Sequence, residues 1–592
     1  MLHTTDPQAP TPRHERGAES RLEQLTPRLR PAAIVCSGER LGAARMTRHS
    51  FAPAFVRHAA DQRWRIERER WDLDELGHGE VVYRLTLGEH VLRFVVFSTT
   101  IPDELRADRV VAVAWDVTAA LIQGELDDGR MAELRREVPL QEGGRADADT
   151  LIWTRANRSQ RFFAYIAERL ASGRQPEFDV IGPCAYVLRS TAFYGNGRFG
   201  MAPFAALRDP HPLAVPFRAQ MLAAFVLREF SYDLVEHRAR ALDPTAVPLR
   251  GAWSNYFGLG NATGLGMVPF FANHPAILDA WCRVRELALA GARAARLTPG
   301  DPQVARLQGL GTRVCRYLDE RSVLATSPFA PYAEVASDLR RVMVEVDAFA
   351  RDGTVGGLAT SAPWDRLWEW AETEVGIEAQ ELLAGLLTEL DDTLDEELEA
   401  LLRVDESTDC RPRDRVADLA ALIDERYAWI DDPGLRVDDP DAAYWSWYYA
   451  ADSEEPRRAP RDVQVAGRHH MPIDIPRQIH RLRSLLRAWS PDAAVAEVLL
   501  AHPEHRGAIE RVQSFGHLTY SEVHDDLLAE DFLPLQIQRF KLANYGMTNY
   551  VPQSTDWVRV VLLQGAPRAA ELAHGELTDW IYPLAPDPEV AK

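Results

Sequence analysis

The stretch WSNYFGLGNATGLGMVPFF, residues 253–271, is the most unusual part of the 592-residue chain because it is so rich in glycine. Four glycines fall within nine positions: Gly258, Gly260, Gly264 and Gly266. Glycine adopts positive φ readily and lets a ligand approach the backbone, and successive exposed N–H groups form a concave anion site. We therefore interpret the stretch as a loop. It predicts a turn that cradles a ligand beside a helix beginning near Pro275, where the helix dipole attracts a carboxylate or phosphate.

No common nucleotide motif explains this stretch. The spacing Gly258-x-Gly260-x-x-x-Gly264 differs from the dinucleotide fingerprint, which has two residues before its third glycine, and no GK[ST] follows as in a phosphate-binding P-loop. The sequence also lacks a nucleophile elbow and a kinase signature. The alternative to a ligand site is a loop that lets two helices cross closely, since glycine also serves where backbones approach.

Composition limits the class of protein. A chain of 592 residues is too long for one core and predicts two or three domains. Its net charge of −21 disfavours nucleic-acid or anionic-membrane partners, and no apolar run approaches the ~20 residues of a membrane span. Five scattered cysteines without a CxxC pair, and no secretory segment, favour a reducing cytoplasm. We expect a small-molecule partner.

Hydrophobic periodicity predicts the fold class. Most segments repeat apolar residues at helical spacing, which predicts helices over residues 215–241, 276–296, 302–320, 332–350, 361–404 and 413–429. By contrast, Tyr83, Leu85 and Leu87 alternate with polar residues, and Gly88-Glu89 fits a hairpin turn before a returning strand over residues 90–97. The expected fold is mainly α: a large antiparallel helical array with a small N-terminal α+β module built on an antiparallel sheet.

Four regions are expected along the chain. Residues 1–50 form a disordered extension, and residues 51–150 form the small α+β module. Residues 151–430 form a helical domain with glycine-rich loops, and residues 431–592 form a C-terminal helical region with aromatic and His-rich segments. We expect the module to serve packing or dimerisation, so a homodimer is one expected assembly. A short strand over residues 557–563 is expected to complete the sheet of the N-terminal α+β module.

Two further polar stretches join the glycine stretch as candidate binding segments. Residues 178–204 place arginines among glycines, and arginine suits bidentate recognition of a carboxylate or phosphate. Residues 536–556 are rich in amides and tyrosine. We interpret the three stretches as walls of one pocket. The predicted substrate-binding residues are Arg189, Arg198, Asn255, Gly260, Asn261, Thr263, Gly264 and Asn549.

Three residues are candidates for moving protons: His470, His517 and Lys541. Lys541 is the one lysine away from the chain terminus. It is either an exposed salt-bridging lysine or a base whose pKa is lowered by desolvation. His517 and His524 fall on one face of an expected helix, which is the arrangement a metal needs. They are the candidate metal ligands, with iron or haem as the cofactor.

Three functions remain open from the sequence. The first is an enzyme that acts on a small polar, anionic metabolite by general acid–base chemistry, in a pocket built from the glycine-rich loops. The second is an oxygenase or related redox enzyme with histidine-held iron or haem. The third is a non-catalytic helical scaffold or binding module.

Overall fold

The computed structural model describes residues 21–105, 114–140, 149–195, 211–215, 217–264, 271, 274–324, 330–404, 410–431, 445–449, 456–460, 474–523, 533–552, 557–575, 577 and 579–586. The strands are β1 Arg65–Leu73, β2 Gly79–Leu87, β3 His90–Ser98, β4 Val117–Gln123, β5 Thr150–Arg158, β6 Tyr186–Gly195, β7 Gly258–Gly264, β8 Thr354–Val355, β9 Leu358–Ala359, β10 Trp445–Tyr449, β11 Pro456–Pro460, β12 Met547–Pro552 and β13 Trp557–Leu562.

Nine of these strands form one mixed sheet, in the order β1-β2-β3-β4-β5-β6-β7-β13-β12. Neighbouring strands in it run antiparallel, except that β6 and β7 are parallel. The two short pairs β8–β9 and β10–β11 lie outside this sheet.

The helices are α1 Ala32–Val35, α2 Gly38–Ala43, α3 Phe51–Asp61, α4 Asp128–Glu137, α5 Phe163–Ala171, α6 Phe178–Ile181, α7 Arg218–Leu242, α8 Gly251–Tyr256, α9 Pro275–Ala294, α10 Pro302–Leu324, α11 Tyr332–Asp352, α12 Pro363–Glu374, α13 Ile377–Thr388, α14 Asp395–Leu401, α15 Val416–Arg426, α16 Asp474–Leu486, α17 Val495–Ala501, α18 Arg506–Phe515, α19 Pro534–Tyr545 and α20 Ala569–His574. Most of the helices expected from periodicity are present, with boundaries shifted by a few residues.

The prediction of a mainly α fold with a small antiparallel module is wrong. The sheet has nine strands, includes one parallel pair and continues past the boundary predicted at residue 150. Its last two strands, β13 and β12, come from the region expected to be helical. The strand expected over residues 557–563 does join the sheet, between β7 and β12. The molecule is thus a large mixed-sheet protein with extensive helical parts.

The β2–β3 hairpin is confirmed, and its alternation explains how the sheet is buried. Leu87 pairs with His90 across the turn, where Gly88 has a φ of 63°. Tyr83 and Leu85 belong to the main core. Val82, on the other face, packs in a smaller core with residues of α4. Because successive side chains point to opposite faces of a strand, this part of the sheet is covered on both sides.

Residues 253–264 of the glycine-rich stretch are not the loop that the sequence predicts, while Gly266 lies outside the described residues. The first residues of the stretch form α8, and Gly258–Gly264 form β7, which lies between β6 and β13. A β-carbon on Gly258 would lie 2.4 Å from the carbonyl oxygen of Leu562. A β-carbon on Gly260 would lie 2.6 Å from the ring of Tyr186. These glycines are therefore required by close packing within the sheet, which corrects the interpretation of Gly258 and Gly260 as parts of a ligand cradle.

Helix α7 runs through the main core and is buried along most of its length. Its central Arg228 is completely buried and donates to five backbone carbonyls: Ser254, Asn255, Phe257, Ala566 and Pro567. A guanidinium has five N–H donors and no acceptor, so one buried side chain binds carbonyls of two segments that are far apart in sequence. The Phe257 and Asn255 carbonyls also accept from the Tyr232 hydroxyl and the Gly565 N–H. Arg228 joins the start of β7 to the segment that follows β13.

Two further hydrophobic clusters lie in the helical parts. One gathers side chains of α10, α11, α12 and α13, and the other gathers those of α15, α16, α17 and α18. In the described part of the chain, no helix combines the length and the apolar character needed to cross a membrane.

Disorder over residues 1–50 is contradicted for residues 21–50, while residues 1–20 lie outside the described part. This segment forms α1 and α2 and carries a buried ion pair. Arg30 donates to Glu286 at 2.7 and 2.8 Å and to Glu381 at 2.7 and 3.3 Å. A buried charge needs a partner of opposite sign, so the segment is tied to α9 and α13.

Candidate functional site

The sheet brings three of the predicted binding residues into one row. Arg189 on β6 pairs with Gly260 on β7, Gly260 pairs with Val561 on β13, and Val561 pairs with Asn549 on β12. Paired neighbours share a face of a sheet, and strands lie about 4.8 Å apart, so the Cα atoms of Arg189 and Asn549 are separated by about 14 Å. Both side chains are buried.

Other predicted binding residues lie elsewhere on the same strands. Asn261 is one position along from Gly260 and therefore faces the opposite side of the sheet, paired with Ser190 and Val560. Thr263 and Gly264 pair with Val558 and Trp557. Asn255, at the end of α8, donates to Glu571 at 3.4 Å. The predicted substrate-binding residues are therefore divided between the two faces of the sheet and the end of helix α8.

Lys541 lies in α19 and is only 2% exposed. The expectation of an exposed, salt-bridging lysine is therefore wrong, because its ammonium group lies in the interior, 5.8 Å from the ring centroid of Tyr545. Burial disfavours the charged amine, and it lowers the pKa of Lys541 to about 7. The amine is neutral in a substantial fraction of molecules near neutral pH.

His517 lies at a cavity of about 440 Å³ between α9, α14 and the end of α18. Its wall carries the charged side chains of Asp279 and Arg283 from α9, and Arg411 lies opposite. Gln513 is held in place there by accepting from the Arg411 backbone N–H at 2.9 Å and donating to the Arg411 carbonyl at 2.9 Å. This cavity combines titratable and cationic groups in a space that fits a small molecule.

Asp279 is the buried acid of this cavity. Its Oδ1 accepts the backbone N–H of Tyr520 at 2.7 Å, and it is 5% exposed. Burial raises the pKa of Asp279, although the Tyr520 N–H and the positive charges of Arg283 and Arg426 oppose that effect. A carboxyl group whose pKa is raised in this way stays protonated to a higher pH than usual, which is the direction that a general acid needs.

Arg283 and His517 supply the groups that face the open space. Both side chains are exposed. Within the described part of the chain, neither makes an ion pair or a side-chain hydrogen bond with another protein group. Arg411, in contrast, already donates from Nε to Asp414 at 3.0 Å. Arg283 is thus the cation with the most donors available to an incoming anion.

The predicted metal site is not tested by the described residues, because His524 lies outside them. The described residues include no group of three or more His, Cys, Asp or Glu side chains that could hold a metal ion. His517, the predicted partner of His524, is exposed at the cavity. His470 and Arg198 lie outside the described residues as well.

The sequence analysis named His517 but missed Asp279 and Arg283. The two lie four positions apart on one helix, so their side chains share a face. The available signal in the sequence was an acid four residues before an arginine on one amphipathic helix. Comparison with known proteins does not identify the family of this chain. The chain matches no protein-family model, and no similar curated protein or solved structure was found.

Proposed function

We propose that the cavity beside His517 is the active site of an enzyme that binds a small anionic metabolite, a carboxylate or phosphate, and acts on it by general acid–base chemistry. The observation that carries the proposal is the buried carboxyl of Asp279 next to the unpaired Arg283 and His517, on the wall of a cavity of about 440 Å³. Small-molecule sites combine mostly apolar walls with a few convergent polar groups.

Arg283 is the proposed anchor for the anion. A guanidinium matches the geometry of a carboxylate or phosphate with two parallel hydrogen bonds. Its neighbour Asp279 is four residues earlier on α9, so an anion held by Arg283 lies beside this carboxyl group. The charge of the arginine thereby selects the ligand and places it next to the acid.

Asp279 and His517 are the proposed proton-transfer pair. Burial raises the pKa of Asp279, which favours the protonated form that a general acid needs. The imidazole of His517 lies close enough to oppose that rise when it is charged. An acid and a base next to one bound anion support proton transfer to and from the same substrate.

Calorimetric titration of the full chain with succinate, citrate and inorganic phosphate tests the proposal. We expect at least one to bind, and Arg283→Ala to weaken that binding about tenfold or more, as loss of a charge-assisted hydrogen bond implies. Arg351→Ala is the matched control, because Arg351 is an exposed arginine on α11 that pairs only with the adjacent Asp352. Equal affinity in wild type and Arg283→Ala for every anion that binds, or no binding at all, would reject the proposal.

We also propose a cytoplasmic location and a small molecule, rather than nucleic acid or a membrane, as the main partner. All five cysteines are free thiols in this structure, and disulfides are rare in reducing compartments. The net charge of −21 supports the proposed absence of nucleic-acid binding. Cell fractionation followed by thiol counting on the purified protein tests the location.

A further inference from the structure

Arg321 on α10 is a buried cation that makes no ion pair with any acidic residue that the structure describes. Its side chain is 1% exposed, and its Nε and Nη1 atoms make no hydrogen bond within the described part of the chain. Its nearest polar neighbours are tyrosines: the guanidinium carbon lies 5.1 Å from the ring centroid of Tyr317, and Tyr256 and Tyr332 are close enough to influence its charge. A buried charge without an opposite charge is unfavourable, so this arrangement calls for an anion.

Tyr317 and Tyr332 also line a small cavity of about 50 Å³. Two more arginines line it, Arg45 and Arg539, together with the tyrosines Tyr550 and Tyr582. The space is several times what one water needs, and it is far smaller than a nucleotide-sized pocket. Its size therefore restricts an occupant to a single small ion.

The wall of this cavity is positively charged. Among the described residues that line it, Arg45 and Arg539 are cationic and none is acidic. Both arginines donate to one carboxylate behind the wall, Glu378; the two bonds from Arg539 are 2.7 and 3.0 Å long. An anion in the cavity would therefore lie next to two guanidiniums that share one carboxylate.

A hydroxyl group also lines the cavity without a partner. Tyr550 is 7% exposed, and its Oη makes no hydrogen bond to any described residue. Burial raises the pKa of Tyr550, so the hydroxyl stays protonated at neutral pH and remains a donor. An unpaired donor beside two guanidiniums favours an acceptor-rich anion over water alone.

We propose that this cavity, lined by Arg45, Arg539 and Tyr550 and backed by Arg321, binds one small oxyanion such as inorganic phosphate or sulfate. The site is separate from the cavity beside His517. It joins parts of the chain that are far apart in sequence: residues 44–46, α10, α11, α13, α19, β12 and residues 581–582. Binding to the folded state alone would stabilise the protein in proportion to the logarithm of the anion concentration.

Thermal unfolding of the full chain in phosphate, compared with sodium chloride at equal ionic strength, tests the proposal. We expect the melting temperature to rise with phosphate beyond the rise in chloride. A parallel series in sulfate and acetate distinguishes a general oxyanion site from one that takes a carboxylate. Equal melting temperatures in phosphate and chloride at each ionic strength would show a water-filled cavity and overturn the proposal.

Two variants locate the effect, and both are made in the Arg283→Ala background, which is expected to remove phosphate binding in the cavity beside His517. Tyr550→Phe removes one donor and is expected to weaken the remaining phosphate binding about tenfold, the value of one hydrogen bond to a charged group. Arg321→Met removes the buried charge behind Tyr317 and is expected to reduce the remaining shift. Tyr165→Phe is the matched control, because the Tyr165 hydroxyl accepts from the Glu177 backbone N–H on another part of the surface. A shift unchanged by Tyr550→Phe would place the anion elsewhere.

Discussion

The ring of Tyr186 occupies the space that a β-carbon on Gly260 would need: its Cγ lies 2.6 Å from that position. Neighbouring strands β6 and β7 thus meet at a point where only glycine fits. Gly260→Ala should lower the free energy of unfolding by about 1–3 kcal/mol, as overpacking does. Urea denaturation measures this. Gly251→Ala is the control, because a β-carbon there meets nothing within 4 Å. Equal stability of the two variants would contradict this explanation of the glycine stretch.

Arg228 should be the most sensitive arginine of the main core. Arg228→Met removes a donor from five backbone carbonyls of two separate segments. Those of Phe257 and Asn255 keep a second donor, while those of Ser254, Ala566 and Pro567 depend on Arg228. We expect a loss of more than about 3 kcal/mol, since each buried unsatisfied group costs about 1–3 kcal/mol. Arg240→Met tests an exposed arginine of the same helix, paired only with Glu236, and should cost under about 1 kcal/mol. A similar loss in both variants would show that the buried contacts of Arg228 are not responsible.

Glu381 should control stability in acid. Burial by itself raises the pKa of this carboxyl group, but Arg285 and Arg30 outweigh it and hold the pKa well below 4.5. Because the folded-state pKa is below the unfolded one, the stabilisation is complete above about pH 4.5 and is lost as the pH falls further. Glu381→Gln should destabilise the protein by about 3–5 kcal/mol at pH 7 and flatten this acid dependence. Urea titrations from pH 3 to pH 7 check both effects.

The control for Glu381→Gln is Glu369→Gln. Glu369 is an exposed glutamate that pairs with Arg366, and both residues lie on α12. Glu369→Gln should leave the acid dependence of stability as in the wild type. An acid dependence that persists unchanged in Glu381→Gln would show that other carboxylates carry it.

Lys541 should also make the stability rise with pH, but in the alkaline range instead of the acidic range. Burial lowers its pKa to about 7, below the value near 10.4 of an unfolded chain. The unfolded state therefore binds more protons between these values, and the stability of the wild type should rise with pH from about 7 to 10. Lys541→Met should remove this rise and raise the stability at pH 7. Lys592→Met changes the other lysine of the chain and should keep the rise; an unchanged slope in Lys541→Met would contradict the lowered pKa.

The hairpin and most helices could be predicted because their residues carry a periodic signal. Tyr83 and Leu85 alternate with polar residues, and the long helices repeat apolar residues at helical spacing. Strands β6 and β7 carry no such signal. Arg189 and Ser190 are polar yet buried, and Gly260 is glycine because a ring lies against it. Only the tertiary neighbours reveal that these residues are strand residues.

The candidate site could be found from sequence only in part. His517 stands out because histidines cluster near it in the sequence. Asp279 and Arg283 lie within an ordinary amphipathic helix, and their role depends on the segment around Tyr520, which is over 200 residues away and caps Asp279 with a backbone N–H. A contact between residues so far apart in the sequence cannot be predicted from the spacing of neighbouring residues.

Proton transfer in the cavity beside His517 is the central claim, and isotope exchange tests it most directly. The full chain is incubated in deuterated buffer with pyruvate, 2-oxoglutarate and succinate, and loss of the proton signal next to the carboxylate or carbonyl is followed by NMR. We predict exchange above the buffer rate for at least one acid, a loss of about 100-fold or more in Asp279→Asn, as expected for a general acid or base, and the wild-type rate in Arg351→Ala. Exchange at the buffer rate for every acid, or an equal rate in Asp279→Asn, would contradict the account.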